Sequence, residues 1–493
     1  MPDDGRVQRL SVERLREDAY VARFARRTAL NALRRAIFEL RRARPGQSAA
    51  SAAPQTGWAM AGPTLFMLGL IIFAPTVASA MIWGLLGAGF LSLAVFRLSA
   101  ALTPPRYSPR RPLPVSQLPS LTVICALHRE PGEVVEGLAR QLSQLDYPAD
   151  RLTLALAVEA DDEETCRAAH AAARRWPLEV IETPPRGPRT KPKALNYALH
   201  LTGGELIAVY DAEDCPAPDQ LRAAAEAFSA DARLGCVQAP LSWYNAEETW
   251  LTRQFALEYA AQFHVLLPFY ARLGWPLPLG GTSNVFRRTA LETCGGWDPF
   301  NVTEDADLGF RLAREGWRIG LIEPGTREEA PTTLRPWIAQ RSRWLKGHLI
   351  TSMVHARDLP DLRRGAGPGA CRALIIALAA NALSGALHAP SLFAALMLAG
   401  LSAFVHWGSA PLWGLAVLMA GYAAAGAAAL VGARRAGFRP RLSALLSMPL
   451  YWPLQSLAFM RALNEMAGDP YSWTKTHHGV SAVPRPDTGP GGA

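Results

Sequence analysis

Apolar positions along the chain fall into two kinds of pattern. From Trp58 to Phe96 there is no Asp, Glu, Lys or Arg in 39 residues, roughly twice what one membrane-spanning helix needs. This predicts two spans with a tight turn near Pro75. A second uncharged stretch, Ala373 to Ala433, is long enough for about three spans. Leu442 to Met460 adds an apolar run broken by Pro449 and Pro453, which suits an interfacial helix better than a clean span. Between these blocks the period changes. Leu121–Leu127, Leu152–Val158 and Leu206–Tyr210 are short apolar runs separated by Ala-rich helical stretches at Glu133–Leu145 and Glu163–Trp176. Alternating strand and helix signals predict a largely parallel α/β sheet, in a body ending near Pro360.

The resulting organisation is a basic tail with an amphipathic helix (1–57), two spans (58–100), a Pro-rich linker (101–119), the α/β body (120–360), a second helical block (371–463) and a tail (464–493). Two initial crossings return the chain to its starting side. The positive-inside preference then puts the Arg-rich tail and the α/β body in the cytoplasm. Three further spans would place Arg434, Arg435, Arg439 and Arg441 on the other side, against that preference. Either the segment near 371–388 lies in the interface or these arginines are an exception.

Charge sharpens the picture. The 493 residues carry a formal +9, and the first 50 contribute 12 Arg and 6 acids, so two thirds of the surplus is local. Within the tail Arg26, Arg27, Arg34, Arg35, Arg41, Arg42 and Arg44 alternate with Phe24, Leu30, Leu33, Ile37, Phe38 and Leu40, a spacing suited to an anionic membrane surface. With no aromatic stacking platform beside it, the surplus does not indicate nucleic acid. Six dispersed Cys without a C-x-x-C pair indicate neither a zinc site nor a disulfide framework.

Four segments of the body bear chemistry. The strand Leu206–Tyr210 ends in Asp211-Ala-Glu213-Asp214, carboxylates at the strand edge where α/β sheets bind ligands; hard oxygen donors there suit Mg²⁺ or Mn²⁺. Arg186, Arg189, Lys191 and Lys193 form a basic loop entering a helix, with charge to offset a diphosphate. Thr303-Glu304-Asp305 precedes another helix, as a cap or as a base. Gln340, Arg343, Trp344 and Gly347 recur at helical spacings, aligning an amide, a guanidinium and an indole. Singly, these read as a surface turn, a solvated loop, a cap and an exposed helix face.

In this order, between membrane segments, they resemble the family 2 glycosyltransferases of the cellulose-synthase-like kind, over roughly residues 120–350. The resemblance implies a GT-A-type, Rossmann-like cytosolic domain flanked by transmembrane helices in a bacterial-type inner membrane. By position it implies that Asp211 and Glu213 hold the metal on the donor diphosphate, and that Asp305, beside Glu304, is the general base of an inverting displacement. Gln340, Arg343 and Trp344 would meet the acceptor and the leaving diphosphate. His128, Glu130 and Lys191 would line the nucleotide-sugar pocket, with Glu159 and Asp161 equal candidates for the nucleoside contact. Gly281, Thr282 and Ser283 would meet the acceptor sugar. Trp473 and Lys475 would belong to a loop closing over the nucleotide. The leading expectation is extension of a β-linked polysaccharide from a UDP-sugar, with glucose as the family-level sugar, translocation across the spans and other export subunits as possible partners. The alternative is transfer of one sugar to a lipid.

Overall fold

A computed structural model of the protein describes residues 26–51, 69, 72–401, 410–468 and 471. Its centre is a sheet whose strands are β1 (Leu121–Leu127), β2 (Leu152–Glu159), β3 (Leu178–Thr183), β4 (Leu206–Tyr210), β6 (Leu234–Gln238), β8 (Asn284–Arg287) and β9 (Arg318–Leu321), in the order β3-β2-β1-β4-β8-β6-β9. A smaller sheet joins β5 (Cys215–Pro216), β10 (Thr326–Glu328) and β7 (Leu241–Trp243). All neighbours in the large sheet pair in parallel except β8, which runs against β4 and β6. The unbroken apolar runs follow from this, because helices cover both faces of a parallel sheet. Val123 and Cys125 pack into one layer and Ile124 into the other, each fully buried.

From β1 the chain winds outward through β2 and β3, then returns to lay β4 on the other side of β1. Strand order reverses there, opening a crevice beyond the carboxyl ends of β1 and β4.

The helices that frame this crevice are α1 (26–43), α2 (Pro75–Leu102), α3 (Lys191–Leu201), α4 (Trp250–Ala261), α5 (Glu304–Arg314), α6 (Leu334–Ala356), α7 (Ala370–Leu401), α8 (Ala410–Arg435) and α9 (Met448–Gly468). Helix α1 corrects one expectation. Its apolar residues Leu33, Ala36, Ile37 and Leu40 are buried; Leu33, Ala36 and Ile37 form a small core with Tyr197 of α3, and Asn196 Nδ2 donates to the Ala36 carbonyl at 3.1 Å. The α/β body takes Leu33, Ile37 and Leu40 of the face that the spacing offered to a membrane, while Leu30 and Phe38 stay exposed and Arg26, Arg27, Arg34, Arg41 and Arg42 point outward.

Among the described residues three helices are long and apolar enough to cross a membrane: Met81–Leu102, Ala370–Leu401 and Trp413–Arg435. Most of the earlier span expected after Trp58 lies outside the described residues. Helices α7 and α8 pack together across a short connection. Arg435, at the end of α8, donates to the carbonyls of Ala101 (3.0 Å) and Thr103 (2.8 Å) at the end of α2, and to that of His264 (3.0 Å). Arg441 pairs with Glu247 at 3.0 Å. Arg435 and Arg441 therefore hold the carboxyl end of α8 and the segment after it against the α/β body and α2. Helix α9 is not one of the three helices long and apolar enough to cross. Tyr451 near its start bonds Glu258 at 2.7 Å and Glu465 near its end bonds Lys346 at 3.1 Å, so the helix lies along the body.

Candidate active site

Both edges of the crevice carry the predicted groups. His128 and Glu130 follow β1, and Asp211, Glu213 and Asp214 follow β4. Lys191 opens α3 opposite them: its Nζ bonds the Asp211 carboxylate and donates to the Gly281 carbonyl at 2.6 Å. Burial opposes the ammonium charge, yet Asp211 and Glu304 beside it hold its pKa above the ordinary lysine range. Asp214 is the support behind this turn, accepting from the Asp211 backbone N–H (2.7 Å) and from the Thr282 hydroxyl.

Four carboxylates converge here. Burial and the neighbouring negative charges push Glu213 and Asp214 well above the usual carboxylate range, and the same causes act on Glu328 of β10. One ammonium does not balance them, which is the electrostatic setting that a divalent cation relieves. Among the described residues no three His, Cys, Asp or Glu side chains form a closed metal cage. Asp211 and Glu213 fit the other kind of site, in which one or two carboxylates hold Mg²⁺ or Mn²⁺ and phosphate oxygens complete the shell.

Asp305 is the second residue of α5, and its Oδ1 accepts the Ala306 N–H at 2.7 Å. A methyl group built on Gly281 would stand 3.2 Å from Asp305 Oδ2 and 3.8 Å from Lys191 Nζ. Glycine thus keeps open the space between the proposed base and the proposed donor lysine. Burial raises the Asp305 pKa to about 6, opposed by Lys191 and Arg343. Burial and the Asp305 charge raise Glu304 to about 8. Both carboxyls of this adjacent pair are thus raised, Glu304 further than Asp305. Thr303 does not cap the helix through its side chain; its hydroxyl lies 3.4 Å from that of Thr351 in α6.

Helix α6 presents Gln340, Arg343 and Trp344 to the same cavity. The buried Oε1 of Gln340 has no hydrogen-bond partner among the described residues. The Trp344 ring lies nearly parallel to Tyr259 of α4, centroids 6.1 Å apart. Arg341, passed over by the helical spacing, holds this platform: its guanidinium sits 4.6 Å from the Trp344 ring centre and 4.3 Å from that of Phe255. It also forks onto Glu258 with two contacts of 2.6 Å. Tyr451 of α9 joins Glu258 from behind.

Other candidates separate. Glu159 pairs in the interior with Lys193 at 2.8 Å and borders the cavity, whereas Asp161 pairs with the exposed Arg189 in a neighbouring surface groove. Ser283 turns inward onto Thr326 at 2.5 Å, whereas its neighbours Gly281 and Thr282 line the cavity. Lys346, between Trp344 and Gly347 on the same helix, faces Glu465 and not the cavity. Trp473 and Lys475 lie outside the described residues. A further network was not anticipated: Asp307 of α5 accepts from Arg311 (2.7 Å) and bonds His355 of α6 (3.0 Å), all buried. Its i,i+4 half was legible in the sequence; the histidine, 48 positions away, was not.

The cavity encloses about 340 Å³ and runs from Glu130, Asp211 and Asp305 past Trp344 to Leu93, Phe96 and Arg97 of α2, Ile376, Ala380, Asn381 and Ser384 of α7, and Ala425 and Ala428 of α8. Its catalytic end is charged and its other end mostly apolar.

Residues 119–347 match the model of the glycosyltransferase like family 2. The chain is 30% identical over 283 residues to a beta-monoglucosyldiacylglycerol synthase of Trichormus variabilis, covering 56% of this chain and 59% of that one. It is 28% identical over 301 residues to the UDP-forming cellulose synthase catalytic subunit of Xanthomonas axonopodis pv. citri, covering 57% and 38%. The chain thus spans less than two thirds of these relatives' lengths. A mannosyltransferase from Pyrobaculum calidifontis, solved with GDP-Man and Mn²⁺, superposes with a TM-score of 0.47 at 22% identity, over 78% of this chain and 99% of that one.

Proposed function

We propose, for a chain whose residues 119–347 are a family 2 glycosyltransferase domain, that it transfers a single hexose from a UDP-sugar, with inversion, to a hydroxyl group of a membrane lipid. The supporting observation is the cavity that joins Asp305 to the apolar walls of α2, α7 and α8. Acyl chains suit such walls, and the lipid's polar end would then reach the base. UDP-glucose is the proposed donor, in keeping with the glucosyl and β-glucan names among the relatives.

In this reading the uracil nucleotide enters beside His128, Glu130 and Glu159, and its diphosphate lies between Lys191 and Asp211. Asp211 and Glu213 would hold Mg²⁺ or Mn²⁺, which when bound neutralises charge on the diphosphate. The ionised Asp305 accepts the proton of the acceptor hydroxyl as its oxygen bonds the anomeric carbon from the face opposite the leaving group. The bond from that carbon to the β-phosphate-linked oxygen breaks, and UDP departs with the electron pair. Arg343 meets the charge that accumulates there. Glu304, whose proton affinity burial and Asp305 raise, would add less negative charge beside the diphosphate than an exposed carboxylate. The return of α8 to the body places Arg434 and Arg435 with the catalytic domain, which supports a cytoplasmic orientation.

The stacked Trp344 and Tyr259 favour a second reading, in which the acceptor is a growing glycan lying on that platform. Purified full-length protein in diacylglycerol-containing vesicles, supplied with radiolabelled UDP-glucose, separates the two. Labelled monoglycosyl lipid is the expected product; a glucanase-sensitive polymer in its place would overturn the lipid reading.

A further inference from the structure

Arg97 is the one charged residue in the 22 residues from Met81 to Leu102, the membrane-spanning part of α2. It lines the catalytic cavity from the membrane side. Its guanidinium stacks on the indole of Trp452 in α9, 5.4 Å from the ring centre. Stacking occupies the flat face and leaves the N–H donors at the rim available. Among the described residues no hydrogen-bond acceptor or carboxylate is paired with them. Glu258, whose charge reaches Arg97, is already taken by both outer nitrogens of Arg341 and by the Tyr451 hydroxyl. An arginine in an apolar helix, near its end, reaches the interface, where an anionic group can pair with it.

Depth identifies the ligand's chemistry. Helix α2 has 28 residues, about 42 Å of rise, the width of a bilayer with its headgroups. Arg97 stands about 7.5 Å from the helix end at Leu102, near the boundary of hydrocarbon and headgroup, where glycerophosphate groups lie. Its neighbours along the wall divide accordingly: Leu93 and Phe96 are apolar, and Asn381 and Ser384 of α7 offer further donors. A planar cation with parallel N–H groups matches two oxygens of a phosphate.

We infer that Arg97 binds the phosphate of a membrane phospholipid at the α2 mouth of the catalytic cavity. The site is separate from the donor diphosphate site at Lys191. It does not depend on which acceptor is glycosylated, because its readout is lipid retention and not transfer.

The test uses the purified full chain in detergent with three probes: phosphatidylglycerol, diacylglycerol of the same acyl chains, and inorganic phosphate. Native mass spectrometry should show wild-type protein retaining phosphatidylglycerol roughly tenfold better than diacylglycerol. Arg97→Gln should lose that preference, Arg97→Lys should keep part of it, and millimolar inorganic phosphate should not displace the lipid. Equal retention by Arg97→Gln would overturn the inference, and displacement by inorganic phosphate would overturn its lipid part. UDP binding by each variant reports folding. On wild-type protein alone, a phosphatidylglycerol photoprobe reactive at its headgroup should label Phe96 or Trp452; labelling confined to other helices would refute the site without any variant.

Discussion

Lys191 Nζ joins the Asp211 carboxylate to the Gly281 carbonyl, tying the carboxyl end of β4 to the loop that leads into β8. One ammonium thus stands among Asp211, Glu304 and Asp305 and holds the proposed donor side and the proposed base side of the site together.

Removing that ammonium isolates the carboxylates. Lys191→Met should weaken UDP binding by about tenfold or more and lower stability by roughly 3 kcal/mol, the scale for breaking one side of a buried pair. Calorimetric UDP titration and thermal unfolding check this. Asp211→Ala should instead remove the dependence of UDP binding on added Mn²⁺; a metal titration indistinguishable from wild type would reject Asp211 as the proposed ligand.

The two neighbouring carboxyls predict a pH profile. Asp305 must be ionised to accept a proton, and its pKa is raised to about 6, so kcat/KM should rise with pH through that value and fall away below it. Glu304, raised to about 8, should impose a decline above that pH as it ionises beside the leaving diphosphate. Glu304→Gln should abolish the alkaline decline and keep the acid limb. Asp305→Asn should reduce kcat by about 10²–10⁴ while UDP binding stays near normal.

Two glycines should fail differently when changed to alanine. At Gly281 the new methyl group enters the space in front of Asp305, 3.2 Å from its carboxylate. Gly281→Ala should therefore lower kcat/KM at least tenfold with unfolding temperature little changed. At Gly309, on α5, the methyl group would sit 1.9 Å from the Leu277 carbonyl oxygen, and Gly309→Ala should destabilise the protein by about 1–3 kcal/mol or more. Paired melting curves and rates distinguish the two.

The buried Asp307, Arg311 and His355 lock the helix of the proposed base to the helix of Gln340, Arg343 and Trp344. Asp307→Ala leaves Arg311 uncompensated and should cost about 3–5 kcal/mol, read as a lowered urea midpoint. His355→Gln, which keeps a donor near Asp307, should lose less. Equal melting of wild type and Asp307→Ala would show the network to be dispensable.

The strands and helices of the body were legible because their apolar periods are local, and the acidic strand end and the helical row on α6 were legible because their spacing is local too. Glu304 and Asp305 were named together, but their unequal proton affinities come from burial and from Lys191 and Arg343, which lie far off in the chain. Arg341 was missed because its row points to Glu258 and Phe255, partners contributed by another helix. The amphipathic stripe of α1 was legible as apolar, but not that the α/β body covers Leu33, Ile37 and Leu40 and leaves Leu30 and Phe38 exposed, because a stripe declares that something covers it and not what. Charge counting left Arg434 and Arg435 on an undecided side; contacts with Ala101, Thr103 and His264 placed that end of α8 against the body.

By itself the sequence determined the sheet-forming runs, the uncharged membrane blocks and the identities of the reactive groups, each a property of residues close in the chain. Tertiary structure alone decided which of those groups face one cavity. It paired Glu159 with Lys193, turned Ser283 inward, sent Lys346 to Glu465 and brought Arg97 from a membrane helix to the same space as Asp305. The physical reason is that periodicity specifies which face of an element is buried, whereas the field and the contacts at a site arise from packing between elements distant in the chain.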